Sequence, residues 1–214
     1  MKRLMLLLFF AAPSIVLAAD KPNEVIEQSA QALLNAMEGR RESLRHDPVA
    51  LFELVELHFL PHFDRAYAAF LVLGRHSRKA NTEQKRRFTD ALYNYILRQY
   101  ATGLLEFTSE RLNVLPYKGD ETAERATVRT EVYLDDGTEV PVNYKMRRTD
   151  QGWKVYDVTV EGISYVKNFR TQFGAEIQAK GLDALIARLE VEVANSAVDK
   201  SETATESLDQ ADAA

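Results

Sequence analysis

The sequence predicts an α+β domain in which helices precede and follow an antiparallel sheet. Apolar residues recur at helical spacing over the first half of the chain, and the spacing changes to strict alternation between residues 111 and 160. The short segments Asp136-Gly137 and Asp150-Gln151-Gly152 separate alternating stretches, as hairpin turns do. Helices and strands segregated along the chain in this way are typical of α+β proteins.

The first two predicted helices are marked by apolar spacing and by capping residues. Pro22–Met37 carries a single apolar stripe, as expected for a helix that packs on a core. Asp47 followed by Pro48 is a favourable N-cap and first helical residue, and the helix continues to Leu60, where Pro61 follows. Its apolar residues extend almost all the way round, which predicts that it is covered on most sides.

Two further helices are predicted before the sheet. Asp64 can cap a helix that ends at Gly74, a residue type common at helix C-termini. Asn81 and Gln84 have the spacing of a capping box. The helix that follows them is expected to continue to about Phe107.

Four strands are predicted between these helices and the C-terminal part: Arg111–Tyr117, Glu124–Leu134, Glu139–Arg148 and Trp153–Val160. The two middle strands have one apolar and one polar face. In the last strand Trp153 and Val155 fall on one face, whereas Tyr156, Val158 and Val160 fall on the other. An antiparallel strand normally buries one face only. The second apolar face of this strand therefore also has to be covered.

Two helices, Ser164–Ala179 and Leu182–Ala194, are predicted after the sheet. Residues 196–214 contain five acidic residues, one lysine and no aromatic residue, a composition typical of disordered chain. The sequence thus predicts one domain over residues 19–195, followed by a disordered acidic tail.

The N-terminal residues 1–18 have the pattern of a cleavable signal peptide. A basic Lys2-Arg3 pair precedes an apolar stretch, which ends in Val16-Leu17-Ala18. A membrane anchor is the alternative, but Pro13 interrupts the stretch, and a spanning helix needs about 20 apolar residues. We expect export, with cleavage after Ala18.

Composition excludes several classes of function. The 214 residues include no cysteine, so the chain has no thiol nucleophile, no disulfide and no cysteine metal site. The formal net charge of −5 makes nucleic acid and anionic bilayer surfaces poor partners.

Patterns typical of metal sites and nucleophiles are incomplete. His58 and His62 have i, i+4 spacing, but only Asp64 lies near them as a third ligand, and no metal is expected. The stretch from Gly162 to Val166 resembles a nucleophile elbow without its second glycine, so Ser164 is predicted to cap a helix.

Asp157 has two interpretations. It lies in the middle of a strand between apolar neighbours, as a general base in a hydrophobic cup does. A structural role, such as an ion pair with an arginine on the next strand, is the interpretation that we favour.

Two long stretches resemble one known family. They are YAAFLVLGRHSRKANTEQKRRFTDALYNYILRQYATGLLEF (Tyr67–Phe107) and GWKVYDVTVEGISYVKNFRTQFGAEIQAKGLDALIARL (Gly152–Leu189). Both resemble blocks of the MlaC, or toluene-tolerance, family of periplasmic phospholipid-binding proteins. Matching positions are Val72, Leu73, Gly74, Gln84, Phe88, Tyr100, Trp153, Val155, Tyr156, Asp157, Glu161, Gly162, Ser164, Asn168, Phe173, Gly181, Leu185 and Ile186. The main difference from the family pattern is at Asn81-Thr82-Glu83, where the family usually has residues similar to Thr-Pro-Glu.

The resemblance implies an NTF2-like cup, in which helices cover a curved four-stranded sheet and enclose an apolar cavity. One face of the last strand is then expected to pack on helices as core and the other to line the cavity. It also implies a monomeric periplasmic carrier without a cofactor. Family members carry glycerophospholipid between an outer-membrane lipoprotein–porin complex and an inner-membrane ABC transporter with an MCE-domain protein, which maintains the lipid asymmetry of the outer membrane.

On this basis the residues expected to line a lipid cavity are Phe70, Leu92, Ile96, Val128, Val132, Val140, Val142, Tyr144, Met146, Trp153, Val155, Val166, Phe169 and Phe173. The cationic start of the long helix, Lys79, Lys85, Arg86 and Arg87, is expected to dock an acidic partner. The alternative is an NTF2-like periplasmic enzyme with Asp157 as general base. A protein-binding adaptor is a third possibility, and it requires a cavity filled by the protein's own side chains.

Overall fold

The structure is a computed structural model that describes residues 21–106, 111–120, 122–134 and 136–194. The predicted signal peptide and acidic tail lie outside the described residues. The domain boundaries at residues 19 and 195 therefore stay predictions.

Seven helices lie in the described part of the chain. They are α1 (Pro22–Met37), α2 (Arg41–His46), α3 (Pro48–His58), α4 (Arg65–Leu73), α5 (Thr82–Tyr100), α6 (Tyr165–Lys180) and α7 (residues 182–194). Short 3-10 turns occupy Leu60–His62, Gly74–Arg78 and Ala101–Glu106.

The predicted helix caps are confirmed. The side chains of Asp47, Asp64 and Ser164 each accept a hydrogen bond from the backbone N–H three residues later, at 3.0, 3.0 and 3.1 Å. Asn81 and Gln84 form both hydrogen bonds of the capping box. These motifs depend on residues three positions apart, which is why the sequence shows them.

Three helix predictions are corrected. Helix α2 was not predicted, because six residues carry too little periodicity. Helix α3 ends at His58 rather than Leu60, since Pro61 has no N–H to continue the helical hydrogen bonds and the chain tightens into the 3-10 turn Leu60–His62. Helix α5 ends at Tyr100, and the chain tightens into a 3-10 turn that includes Gly103, a weak helix former.

The sheet is an antiparallel meander of five strands in sequence order. The strands are β1 (Leu112–Val114), β2 (Arg125–Tyr133), β3 (Glu139–Thr149), β4 (Gly152–Val160) and β5 (Ile163–Ser164). The α+β class is confirmed, and the expected number of four strands is corrected to five. The more specific NTF2-like description stays a prediction.

The unpredicted strand β5 follows from a tight turn. Glu161 and Gly162 both have positive φ, 49° and 82°, as in the two-residue turns that favour hairpins. The chain therefore reverses at once, and Ile163 pairs with Val160. A strand of two residues is too short to show a period in the sequence.

The register between β3 and β4 shifts at a β-bulge. Val155 lies opposite Met146 and Asp157 lies opposite Lys145, so Tyr156 is the additional residue on β4. A bulge of this kind places two residues of one strand opposite one of its partner, and the alternation of faces changes phase there.

The bulge unites the two apolar sets of β4. Trp153 and Val155 precede it, Val158 and Val160 follow it, and all four lie on the same face of the sheet because their partners on β3 do. The expectation that one set packs as core on one face, while the other lines a pocket on the opposite face, is therefore wrong.

Helix α1 covers one end of this apolar face. Val25 and Ile26 pack there against a cluster of sheet residues: Ala126, Val128, Met146, Trp153 and Val155. A second and larger cluster joins α3, α4, α5, α6 and α7 beside the sheet. Between the two clusters the apolar face of the sheet is not filled by side chains.

Candidate functional site

A cavity of about 510 Å³ lies between the apolar face of the sheet and the helices. This volume is in the range of small-molecule and cofactor sites. The wall combines residues of α1, α3, α4, α5 and α6 with residues of β1 to β4, so that most of the fold contributes to it. Asp157 is the one charged residue among the described residues that line it.

Helix α1 covers one end of the apolar sheet face, and elsewhere the cavity wall reaches solvent at exposed residues. Trp153 and Met146 lie at the covered end. The exposed part of the wall includes Tyr100 and Leu134, whose exposed fractions are 47% and 45%. We call this part, between Tyr100 and Leu134, the mouth. An elongated apolar ligand can thus enter at the mouth and extend towards α1.

Eight of the fourteen residues predicted to line a cavity lie on its wall. They are Leu92, Ile96, Val132, Val140, Val142, Tyr144, Val166 and Phe169. The structure brings them together from two helices and two strands. Their contact with a ligand stays a prediction.

Four predicted residues on the sheet lie beyond the wall. Val128, Met146, Trp153 and Val155 are on the same apolar face, but α1 covers them. The sequence indicates which face of a strand is apolar, and it does not indicate how far along that face a helix extends.

Two predicted lining residues on helices are also not on the cavity wall. Phe173 is buried in the core, where its ring packs edge-on against Phe88 at 6.3 Å. Phe70 is on the outer side of α4 and is 51% exposed. Apolar periodicity identifies the inner face of a helix but does not distinguish residues that line a cavity from residues packed in the core.

Several lining residues were not predicted from the sequence. Tyr156, Val158 and Val160 of β4 line the cavity, as do Leu33 and Met37 of α1. The alternation in β4 showed the first three as apolar or aromatic, but their face was assigned without the bulge. The apolar stripe of α1 was visible, whereas its contact with the sheet was not.

The model of the MlaC protein family matches residues 27–191 of the chain. The chain belongs to the MlaC family. The resemblance of the two sequence blocks is thereby confirmed, and the match extends over the sheet between them.

Curated relatives of this MlaC-family chain carry two names. The toluene tolerance protein Ttg2D of Pseudomonas putida is 30% identical over 184 residues, which cover 86% of this chain and 85% of the relative. The intermembrane phospholipid transport system binding protein MlaC of Haemophilus influenzae is 22% identical over 184 residues and covers 85% of this chain and 86% of its own length.

A solved structure has the same fold as this MlaC-family chain. The phospholipid-binding protein of Ralstonia solanacearum, determined in complex with a phospholipid, superimposes with a TM-score of 0.76. The match covers 83% of this chain and 99% of the other, at 22% sequence identity.

Both oxygens of the Asp157 carboxylate accept hydrogen bonds, from three donors among the described residues. One oxygen accepts from the backbone N–H of Val166 at 3.1 Å, and the other accepts from the Ser164 hydroxyl at 2.7 Å and from Lys145 Nζ at 2.8 Å. Asp157 therefore ties β3 and β4 to the start of α6. The predicted structural role is confirmed, with a lysine in place of the expected arginine, and the geometry does not support a general base.

The cationic start of α5 in this MlaC-family chain is partly neutralised. Arg86 forms ion pairs with Glu83 at 2.6 Å and with Asp90 at 3.3 Å, and Arg87 pairs with Glu190 of α7 at 2.7 Å.

Lys79 and Lys85 are exposed at the same end of α5, and the structure shows no ion pair for them among the described residues. Of the four predicted docking residues, these two present the available positive charge.

Neither a metal site nor a membrane span is found in the part of the chain that the structure describes. No three potential ligands gather there, and His62 has its pKa lowered by burial and by the charge of Lys154. No helix among the described residues is long and apolar enough to cross a membrane.

Proposed function

We propose that the protein is a periplasmic carrier that holds the acyl chains of a glycerophospholipid in its cavity. The observation that supports the proposal best is the lining of the cavity: Asp157 is the one charged residue among the described residues of an otherwise largely apolar wall, which reaches solvent at Tyr100 and Leu134. The names of the relatives and of the solved neighbour, which refer to phospholipid transport and binding, support the same ligand. The head group then remains in water at the mouth.

The energetics of exchange suit a carrier. Removing a methylene group from water is worth about 0.8 kcal/mol, but a lipid that comes from a bilayer leaves an equally apolar environment. Transfer of the chains from bilayer to cavity therefore has a free energy close to zero. Such a protein can load and unload without breaking a covalent bond, which agrees with the structural use of Asp157.

The proposal extends to the route of transport. We infer that the carrier moves lipid between an outer-membrane lipoprotein–porin complex and an inner-membrane ABC transporter with an MCE-domain protein, as a monomer. Lys79 and Lys85 are the charges proposed to guide encounter with an acidic partner.

The carrier function predicts that protein purified from its periplasm contains phospholipid. Native mass spectrometry should show an adduct with the mass of a phospholipid. A uniformly ligand-free protein that also refuses added lipid would contradict the proposal.

The cavity itself is tested by narrowing it. Val142 lies on the wall, so Val142→Trp should exclude the chains and reduce the bound lipid at least tenfold in the same measurement. Arg129→Trp is the matched control, because Arg129 is exposed on β2 and the added ring does not enter the cavity. Equal loading of the two variants would show that lipid binds elsewhere.

A further inference from the structure

Few polar groups of the cavity wall are free to contact a ligand. Asp157 is occupied by its three donors. Tyr144 lies among strand residues next to Thr130, and burial raises the pKa of its hydroxyl to about 12. The ring of Tyr156 packs against Tyr67 at 5.4 Å. Tyr93 is almost fully buried. Of the tyrosines on the described wall, Tyr100 is the one with an exposed side chain, and Tyr165 is in contact with its ring.

Those two, Tyr100 and Tyr165, lie together at the mouth. Tyr100 ends α5 and Tyr165 begins α6, and their rings meet edge to face with centroids 5.4 Å apart. Tyr100 belongs to the wall and is also the more exposed of the pair. Burial, the charge of the neighbouring Tyr100 and a hydrogen bond between the two side chains raise the pKa of Tyr165, so the two hydroxyls lie within reach of one another.

The position of the pair matches a particular part of the ligand. In a lipid that enters with its chains first, the acyl ester is the first polar group to follow the chains. Its carbonyl oxygen reaches the point where the apolar wall ends and water begins. A carbonyl that loses water there without a donor costs free energy, and a tyrosine offers an apolar ring with one hydroxyl donor at its edge.

We propose that the hydroxyls of Tyr100 and Tyr165 form an ester-binding pair, which donates hydrogen bonds to the acyl ester carbonyls of a bound glycerophospholipid. This inference rests on the proposed carrier function and adds the part of the lipid that the protein recognises. The ester groups are common to all diacyl glycerophospholipids, so the pair selects the lipid class and tolerates different head groups.

The phosphate is a less suitable ligand for this pair. Phosphate oxygens are bound most strongly by arginine, lysine or several backbone N–H groups. None of the described residues on the cavity wall is an arginine or a lysine. Neutral hydroxyls at the mouth fit a neutral carbonyl better.

The test compares three soluble short-chain lipids of equal chain length: a diester phosphatidylcholine, its diether analogue without carbonyls, and the diacylglycerol without phosphate. Each net hydrogen bond of about 1 kcal/mol corresponds to about fivefold in affinity. The wild-type protein, freed of lipid, should bind the diester about 5-fold to 25-fold more tightly than the diether.

The double variant Tyr100→Phe/Tyr165→Phe keeps both rings and removes both hydroxyls. It should bring the diester-to-diether ratio close to one, while the affinity for the diether stays unchanged. The two single variants should give intermediate ratios. The matched control is Tyr133→Phe, whose hydroxyl contacts Glu131 outside the cavity, and it should keep the wild-type ratio.

Several outcomes would overturn the inference. If the wild-type protein binds the diester and the diether equally tightly, the hydroxyls do not bind the esters. The same follows if the double variant keeps the wild-type ratio of diester to diether affinity. A double variant that loses affinity for the diether phospholipid but not for the diacylglycerol would assign the pair to the phosphate instead. If the wild-type protein binds none of the three lipids, the carrier function fails together with the pair.

Discussion

At the scale of single residues, Asp157 shows how a local sequence context is compatible with two opposite roles. A carboxylate between apolar strand neighbours suggests a base with a free lone pair, but its partners come from β3 and from the start of α6. A buried carboxylate with two backbone or hydroxyl donors and one ammonium has its hydrogen-bond partners within the protein and needs no substrate to supply them. Its role is to hold α6 on the sheet beside the cavity.

The structural role of Asp157 predicts the effect of Asp157→Asn. The amide keeps one acceptor, loses the ion pair with Lys145 and places an NH₂ group against a donor. We expect a loss of about 1 to 3 kcal/mol in the free energy of unfolding, measured by urea denaturation. Glu139→Gln, an exposed change of the same chemistry, should alter it by less than about 0.5 kcal/mol. If Asp157→Asn has the same urea denaturation midpoint as the wild type, the proposed structural role is contradicted.

At the scale of secondary-structure elements, the features predicted correctly from the sequence are those that depend on residues close together in the chain. Asp47, Asp64 and Ser164 identified three helix starts, because a cap involves residues three apart. The bulge at Tyr156 was not predictable in this way, since it is defined by the register with Met146 and Lys145 on another strand.

The same distinction explains the cavity residues. Alternation and helical stripes identified apolar faces, and Val142 and Leu92 were placed correctly on the wall for that reason. Val128 and Trp153 have the same pattern and are covered by α1, which is a property of the assembled helices and sheet.

The contact between α6 and α7 predicts a dependence of stability on pH. Arg188 of α7 donates to Glu176 of α6 at 2.7 Å and 2.9 Å, and these hydrogen bonds lower the pKa of Glu176. A lowered pKa stabilises the fold above the ordinary value of about 4.5, and the contribution is lost as the pH falls through the folded-state value.

We therefore expect Glu176→Gln to be less stable than the wild type at pH 7 and to approach it below pH 4 or so. Thermal unfolding midpoints of both proteins across this range check the prediction. Glu38→Gln is a suitable control, because Glu38 is exposed beyond the end of α1. A difference between Glu176→Gln and wild type that does not change with pH would indicate lost packing instead of lost charge.

At the scale of the whole molecule, the distribution of charge bears on the proposed partners. The chain is acidic overall, and Lys79 and Lys85 form a small positive region at the start of α5. Reversal of Arg87 would break the ion pair that joins α5 to α7, and reversal of Arg86 would break two pairs within α5. The two lysines therefore test docking with less disturbance of the fold.

The double change Lys79→Glu/Lys85→Glu should slow lipid transfer to the inner-membrane complex several-fold and leave the bound lipid unchanged, because it opposes electrostatic steering. Transfer of labelled lipid to vesicles that contain the complex measures this rate. The effect should decrease as salt is raised. The control Lys118→Glu/Arg129→Glu changes the net charge by the same amount, at two exposed residues that are distant in sequence from Lys79 and Lys85. If the lysine variant loses its lipid but still binds the complex, the docking assignment is reversed.

The apolar wall of the cavity has a consequence for the mechanical behaviour of the protein. The apolar wall is poorly hydrated, so lipid-free protein contains a volume that water fills less densely than it fills the space around the unfolded chain. Hydrostatic pressure favours the state of smaller volume and therefore favours unfolding in proportion to such voids. Under the proposed carrier function acyl chains fill this volume, and lipid-loaded protein should then unfold at a distinctly higher pressure than lipid-free protein. Trp153, the single tryptophan, is buried at the covered end and reports this transition by fluorescence. Equal midpoints would mean that the lipid-free cavity collapses, so that the carrier changes its compressibility little between its loaded and unloaded forms.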